Sequence, residues 1–567
     1  MKHTQLFGLT LLLVALAGTC SARQQPRSSR TAAGSYQVNG TVVHALTGEP
    51  LAGVTVVLSP NVELSRQRGT DRTEAEARPA EIRPVLSGRD GSFAFTGLKA
   101  DKYSLSAAKR GFSQQGYEQH EQFSTAIVAG PDKDSANLVF RLQPDASIGG
   151  RIVDEHNDSV ANAQVMLYRE GLQNGRRGIY RVQQVQSSDE GMYRFAHVRP
   201  GKFYVAVSAT PWYAQYGGNR QRMGFRADGG GPAAPPAEDG SSALDLAFPV
   251  TFYPGVTESA RAEAIELKPG QRETADFALM AVPSLHVRVN TVTSEPQQFV
   301  TATIVQEVFD SAEVSARGRN MNFGPGVTEI SGITPGHYLL QLHSNAPNRA
   351  PTPAVVREID ISGNMELNAG DFPTRVNVTG SLRFDGPAPS EPARLVLRRR
   401  TFQGPLQLQV NAKGEISSEQ PVQPDTYDIA FPVNGYQISQ ISVNGAKLKG
   451  QSVQIGASDV RLTVVVAKSS GRLEGIALKD GKPQAGVMVV LVPEDMERPL
   501  LYRRDQSDSD GSFAMSSVTP GRYTLLAIEN GWELEWSKPV VLKQYLGSGE
   551  TVQVALDGKY QVNVKVQ

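Results

Sequence analysis

The sequence predicts an all-β protein, a tandem array of about five seven-stranded β-sandwich domains that follows a signal peptide. Three observations carry this. A turn-and-aromatic phrase recurs five times at intervals of roughly 90 to 135 residues, the length of one small sandwich domain. Between its copies, short runs rich in Val, Ile, Tyr and Phe alternate apolar with polar residues, and Gly, Pro or acidic-Gly pairs cut them every ten or so positions. No sustained helical period competes with that alternation.

The N-terminus comes first. Met1-Lys2-His3 leads into an apolar run from Leu6 to Ala17, then small residues at Gly18-Thr19-Cys20-Ser21-Ala22 before Arg23. A basic start, a short apolar stretch and a small-residue exit read as a signal peptide over 1–22, with a linker over 23–35. The run is too short to span a bilayer, and no later stretch approaches the roughly 18 apolar residues a spanning helix needs. Cys20, the only cysteine, sits where a bacterial lipoprotein carries its lipid. Thr19 fits that motif poorly, and cleavage after Ala22 competes with it. Both outcomes stay open: a free exported chain, or one with an N-terminal lipid anchor. The expected location is periplasmic, outer-membrane-associated or extracellular.

The five copies of the phrase centre on Tyr103, Phe203, Tyr338, Tyr427 and Tyr523, each following a turn such as Pro200-Gly201, Pro335-Gly336 or Pro520-Gly521. Pro and Gly supply the turn, and the aromatic residue enters a half-buried strand. Upstream lie acidic-Gly or related hairpin signals, Asp90-Gly91, Glu190-Gly191, Lys413-Gly414 and Asp510-Gly511, while the third copy has Gly324-Pro325-Gly326 instead. Units open on a Gly-containing strand, at Gly40, Gly149-Gly150, Gly380 and Gly475. The expected division is sandwich 1 over 36–143, sandwich 2 with a Gly/Pro-rich insertion over 144–282, and sandwiches 3, 4 and 5 over 283–373, 374–468 and 469–567. The repeated tyrosines read as packing residues like the corner tyrosines of other sandwiches. Ser65 to Ala80 reads as a loop inserted in unit 1.

Gly40-Thr41-Val42, then Gly48-Glu49-Pro50-Leu51-Ala52-Gly53-Val54, then Asp90-Gly91-Ser92-Phe93-Ala94-Phe95, then the Tyr103 strand ending near Gly111-Phe112, resembles the carboxypeptidase regulatory-like domain. Leu473 to Leu491 and Asp510 to Met515 repeat the pattern in unit 5. The resemblance implies a transthyretin-like or Ig-like sandwich, grouped with carbohydrate-binding-like folds. Phe248 to Gly255 and Ala264 to Gly270 resemble exported bacterial proteins that string such domains together. Such likeness implies fold more safely than activity.

Composition removes several classes. With 57 basic and 57 acidic residues, the chain lacks the basic excess of a nucleic-acid binder. One cysteine excludes a disulfide scaffold, a Cys-based zinc finger and an iron–sulfur protein. None of His44, His120, His156, His197, His286, His337 or His343 has Glu three residues on, so the zinc signature of a metallocarboxypeptidase is missing. The usual metalloprotease, nucleophile-elbow and phosphate-loop motifs are missing too. Asp505, Asp508 and Asp510 suggest a calcium loop, but EF-hand register places Gln506 first and Ser517 twelfth, which fails as a ligand set. No catalytic residue, metal or cofactor is therefore expected.

Aromatics outside the repeat carry the one binding lead. Trp212, Tyr213 and Tyr216 open the stretch Gly217 to Gly240, and Trp532 and Trp536 flank Glu533 and Glu535 in unit 5. Loop aromatics at a sandwich end can stack on sugar rings; equally, they can cap a core or pack between domains. The expectation is a non-catalytic exported binding protein with a polysaccharide or glycan as ligand. A structural stalk or adhesin-like scaffold with a cell-surface protein partner is the alternative, and a hydrolase with an unrecognised site the remote one.

Overall fold

Alternating runs become strands along the whole described chain, because burying every second side chain on one face of a pleated strand fits two facing sheets. The structure, a computed structural model, describes residues 36–61, 82–215 apart from 134 and 174, 243–290 and, with short gaps, 299–567. The expected signal peptide and linker with Cys20, the Ser65 to Ala80 loop, the Gly324-Pro325-Gly326 turn and Tyr216 lie outside the described residues. Among the described residues one α-helical turn, Pro539–Leu542, and a few 3-10 turns interrupt the strands. Among the described residues no helix is long and apolar enough to cross a membrane.

Units 1, 2 and 5 share one plan. In unit 1 the opening strand Tyr36–His44 lies between antiparallel Ser92–Leu98 and parallel Leu138–Leu142. The facing sheet runs Val85–Leu86, Thr55–Pro60, Asp101–Ala108, with Gln115–Gly116 and Ile127–Ala129 on the last strand. Unit 2 places Ala146–Val153 between Met192–Val198 and the parallel pair Arg272–Thr274 and Phe277–Ala278. Unit 5 places Gly471–Lys479 between Ser512–Val518 and the parallel pair Lys559–Gln561 and Val564–Lys565. Unit 3 has two four-stranded sheets, centred on Leu285–Asn290 and Gly336–Asn345. Unit 4 departs: its nine strands form one continuous sheet, because Leu406–Val410 pairs with both Leu395–Arg399 and Glu415–Ser418 and so joins the two halves. Five apolar clusters fill the interiors, within 38–142, 146–279, 287–361, 376–466 and 473–566.

The recurrent glycine has a steric cause. Where the parallel closing strand meets the opening strand, a backbone carbonyl points at that glycine. A Cβ there would stand 2.2 Å from the Leu138 oxygen at Gly40, 2.2 Å from Ala275 oxygen at Gly150, and 1.8 Å from Leu462 and Val562 oxygens at Gly380 and Gly475. In units 2 and 5 the closing strand breaks at this contact, and a side chain fills the missing ladder bond: Asp276 Oδ1 accepts from Arg151 N at 2.8 Å, and Asn563 Oδ1 accepts from Ile476 N at 3.1 Å. Gly91, Gly191 and Gly414 of the hairpins have φ of 74°, 73° and 78°, a region that disfavours side chains.

Three of the repeated tyrosines close their own turns. Tyr103, Tyr338 and Tyr523 donate to the carbonyls four residues back, Lys99, Thr334 and Thr519, at 2.9, 2.8 and 2.8 Å. Unit 2 has Phe203 instead, and Arg169 takes over: its guanidinium donates to Pro200 O at 3.3 Å and lies 6.0 Å from the Phe203 ring centre.

Two outcomes follow in thermal or denaturant unfolding of the full chain. Gly475→Ala destabilises unit 5 by more than about 2 kcal/mol, since backbone on both sides must shift. Tyr523→Phe costs about 1 kcal/mol, because it strands the buried Thr519 carbonyl while keeping the ring.

Candidate functional site

The strand Gly201–Ser208 runs out through buried Ala209 to an exposed turn, and there Trp212 is 79% exposed. Its ring stands edge-on to Tyr213 at 5.6 Å. Tyr213 turns inward: its hydroxyl donates to Glu155, and its ring meets His156 edge-on at 6.2 Å. Burial, then the Glu155 carboxylate, pushes the Tyr213 phenol well above its ordinary value. The site thus offers one free indole face beside a carboxylate, a histidine and a phenol, chemistry suited to a polar ring-shaped ligand.

Trp532 and Trp536 are not open loop aromatics, which corrects the expectation for unit 5. Trp532 is 7% exposed, and its ring stacks on His120 of unit 1 at 4.9 Å with an interplanar angle of 5°. Its indole N–H donates to Gly486 O at 3.2 Å, and Phe123 lies 5.6 Å away. Trp536 is covered by the Arg504 guanidinium at 4.2 Å and by the hairpin tip of unit 2, where a Cβ on Gly175 would fall 2.5 Å from the ring. Glu535 accepts from Arg177 N at 3.0 Å, also in unit 2. The physical reason is the strand Met488–Pro493, buried at every position. Its outer face needs a second apolar layer, formed by Trp532, Tyr502, Leu542 and their neighbours with Phe123 of unit 1 packed against it. The continuous run Val487 to Pro493 carried that signal in the sequence, because a strand buried on both faces loses its alternation.

The acidic loop ahead of Ser512–Val518 completes the contact with unit 1. Gln506, 1% exposed, donates from Nε2 to Glu118 O at 2.7 Å and Thr125 Oγ1 at 2.8 Å, while Oε1 meets His120 Nδ1 at 3.2 Å. Asp508 pairs with Lys102 and accepts from Ala126 N at 3.3 Å. Ser509 exchanges bonds with Ala126 O and Val128 N, both at 2.9 Å. Asp510 pairs with Lys133 at 2.7 Å, and Arg504 forks onto both Glu121 oxygens at 3.1 and 2.8 Å. The carboxylates once weighed as calcium ligands are thus held by lysines and backbone N–H groups. Among the described residues no group of three or more His, Cys, Asp or Glu is placed to hold a metal ion. Burial pushes Asp508 upward despite Lys102, and pushes Asp505 from 3.8 to about 7.

Other units also meet, and Val308 and Phe309 of unit 3 pack on Tyr168, Tyr204 and Phe252 of unit 2. Asp145 accepts from Ser113 Oγ at 2.8 Å and pairs with His197, joining units 1 and 2. Asp245, His286, Glu329 and Arg288 form a chain of ion pairs between units 2 and 3. This histidine–carboxylate cluster lies across a junction, with His286 on strand Leu285–Asn290 and Glu329 on Val327–Ile333, and it leaves Asp245 Oδ1 buried without a hydrogen-bond partner among the described residues. A cleft of about 400 Å³ lies elsewhere, lined by Ile179, Tyr204, Ser259, Ala260, Ala262 and Phe309.

Comparison with known proteins agrees on the first unit. Residues 37–143 match the model of the carboxypeptidase regulatory-like domain. No curated protein matches the chain. Among solved structures, the Bacillus anthracis TIE protein is 11% identical, with 93% of this chain and 73% of that chain covered and a TM-score of 0.16. The full-length major pilin RrgB from Streptococcus pneumoniae is 9% identical, covering 92% and 94%, with a TM-score of 0.17. The major pilin subunit BcpA of Bacillus cereus is 9% identical, covering 74% and 99%, with a TM-score of 0.13. At such values the likeness carries nothing about activity or partners.

Asp505 generates a pH prediction. Its carboxyl holds a proton in the folded chain that the unfolded chain releases near 3.8, so the folded state binds more protons between about 4 and 7. Stability from this group is full below that window and is lost as pH rises through it. Thermal midpoints measured from about pH 4 to 8 should fall more steeply for the natural chain than for Asp505→Asn.

Proposed function

We propose that the protein is a non-catalytic, exported β-sandwich scaffold that works through protein–protein contacts. The observation that carries this is the use made of unit 5. Its tryptophans and its acidic loop are engaged with units 1 and 2 rather than presented to a small ligand. Such an arrangement fixes the positions of units relative to each other, which is what a scaffold requires and what a glycan-binding loop does not.

A second reading, glycan binding, rests on Trp212 alone, whose exposed face suits stacking on a sugar ring. Export, with or without lipid on Cys20, belongs to the same proposal and rests on the pattern of the first 22 residues.

The two readings separate experimentally. Site-specific photo-crosslinkers placed across the exposed surface in living cells should yield discrete protein adducts under the scaffold reading. Adducts to polysaccharide alone contradict it. In a parallel screen of glycans and cell-wall polysaccharides, the scaffold reading predicts that Trp212→Ala changes nothing. Loss of a retained glycan at an unchanged thermal midpoint favours the glycan reading.

A further inference from the structure

We infer that the unit 1 face which receives the Gln506–Gly511 loop also binds that loop from a second copy of this chain, so that units 1 and 5 form an exchangeable head-to-tail pair. Three observations lead there. First, the two halves are separate folding units: each has its own interior cluster, and the residues that meet belong mainly to neither. The contact is built between positions such as 102 and 508 with three further units of chain between them. Nothing in the chemistry of the contact requires the two halves to lie in one chain.

Second, the charges match in order. Unit 1 offers Lys102, Glu121 and Lys133 against Asp508, Arg504 and Asp510 of unit 5. Two copies of the unit 1 face set against each other cannot reproduce these pairs, and nor can two copies of the unit 5 face. The surface is therefore heterologous, and copies joined through it associate head to tail or by mutual exchange.

Third, opening the contact exposes a cost on both sides. Gln506, Thr125 and Ala126 are almost fully buried, and Trp532 loses its stacking partner. An opened chain is driven to re-cover these groups, and a second copy supplies the complementary face. Tethering in one chain makes closure intramolecular, so the closed monomer dominates in dilute solution and exchange emerges where chains are crowded. The inference shares with the scaffold reading only the claim that the partner is protein, and its test uses purified chain, so failure of one leaves the other standing.

The test uses two full-length variants. One carries Lys102→Asp and Lys133→Asp, the other Asp508→Lys and Asp510→Lys. Each alone places like charges across its own contact and sediments as a monomer. Mixed in equal amounts, each supplies what the other lacks, and sedimentation velocity should show a species of twice the chain mass. All four changes in one chain should restore a closed monomer. A mixture that stays monomeric while the fourfold variant behaves like the natural chain overturns the inference. Should either charge variant fail to fold by circular dichroism, Lys133→Cys and Asp510→Cys in separate chains, each also carrying Cys20→Ser, decide the matter with a short bismaleimide. Linked heterodimers that increase with concentration support exchange. Linkage seen only when both cysteines share one chain overturns it.

Discussion

Seating the Gln506–Gly511 loop on unit 1 places the last unit of the chain against the first, and Trp536 on the Gly175 hairpin tip adds the second unit. The terms in this contact do different jobs. Lys102 and Asp508 are both largely withdrawn from water, and desolvation offsets most of what such a pair gains. Removing one partner is costly, on the order of 3–5 kcal/mol, because the other is left buried and uncompensated. The charges therefore select the register more than they drive the docking. The drive comes from Trp532, Phe123 and His120, whose rings cover the outer face of Met488–Pro493. Gln506 fixes the arrangement, since its amide is satisfied only when Glu118, His120 and Thr125 stand where they do.

Within units 1, 2, 4 and 5 a second constraint operates. The parallel closing strand must approach the opening strand closely enough to complete the sheet, and the approach is closest at one carbonyl. Only glycine fits opposite that oxygen, so a glycine recurs at Gly40, Gly150, Gly380 and Gly475. Asp276 and Asn563 then supply the bond that the broken ladder loses. These are local solutions, repeated because the units repeat. They leave the surfaces free to diverge, and the surfaces are where unit 5 acquired its tryptophans and acidic loop.

What the sequence disclosed follows from range. Strand alternation, hairpin glycines and corner tyrosines depend on neighbours within a few residues, and each was readable from spacing. The close approach behind the opening glycine is visible only as a recurrence, since its cause lies 82 to 125 residues downstream on the closing strand. Trp532 and Trp536 looked like exposed loop aromatics because the groups that cover them, His120, Phe123 and Gly175, belong to distant units that no local pattern can place. Asp508 and Asp510 read only as a failed calcium loop and a hairpin signal for the same reason, because Lys102 and Lys133 lie in a distant unit. Trp212 has no such contact from a distant unit among the described residues and stands exposed. The single sheet of unit 4 was illegible because alternation fixes which face of a strand is buried but not which neighbours it pairs with.

The array is closed through units 1 and 5, and small-angle X-ray scattering of the purified full chain tests that closure directly. The predicted result is a scattering curve and pair-distance distribution fitted by the closed arrangement. A distribution with the long, flat tail of sandwiches strung end to end would contradict it.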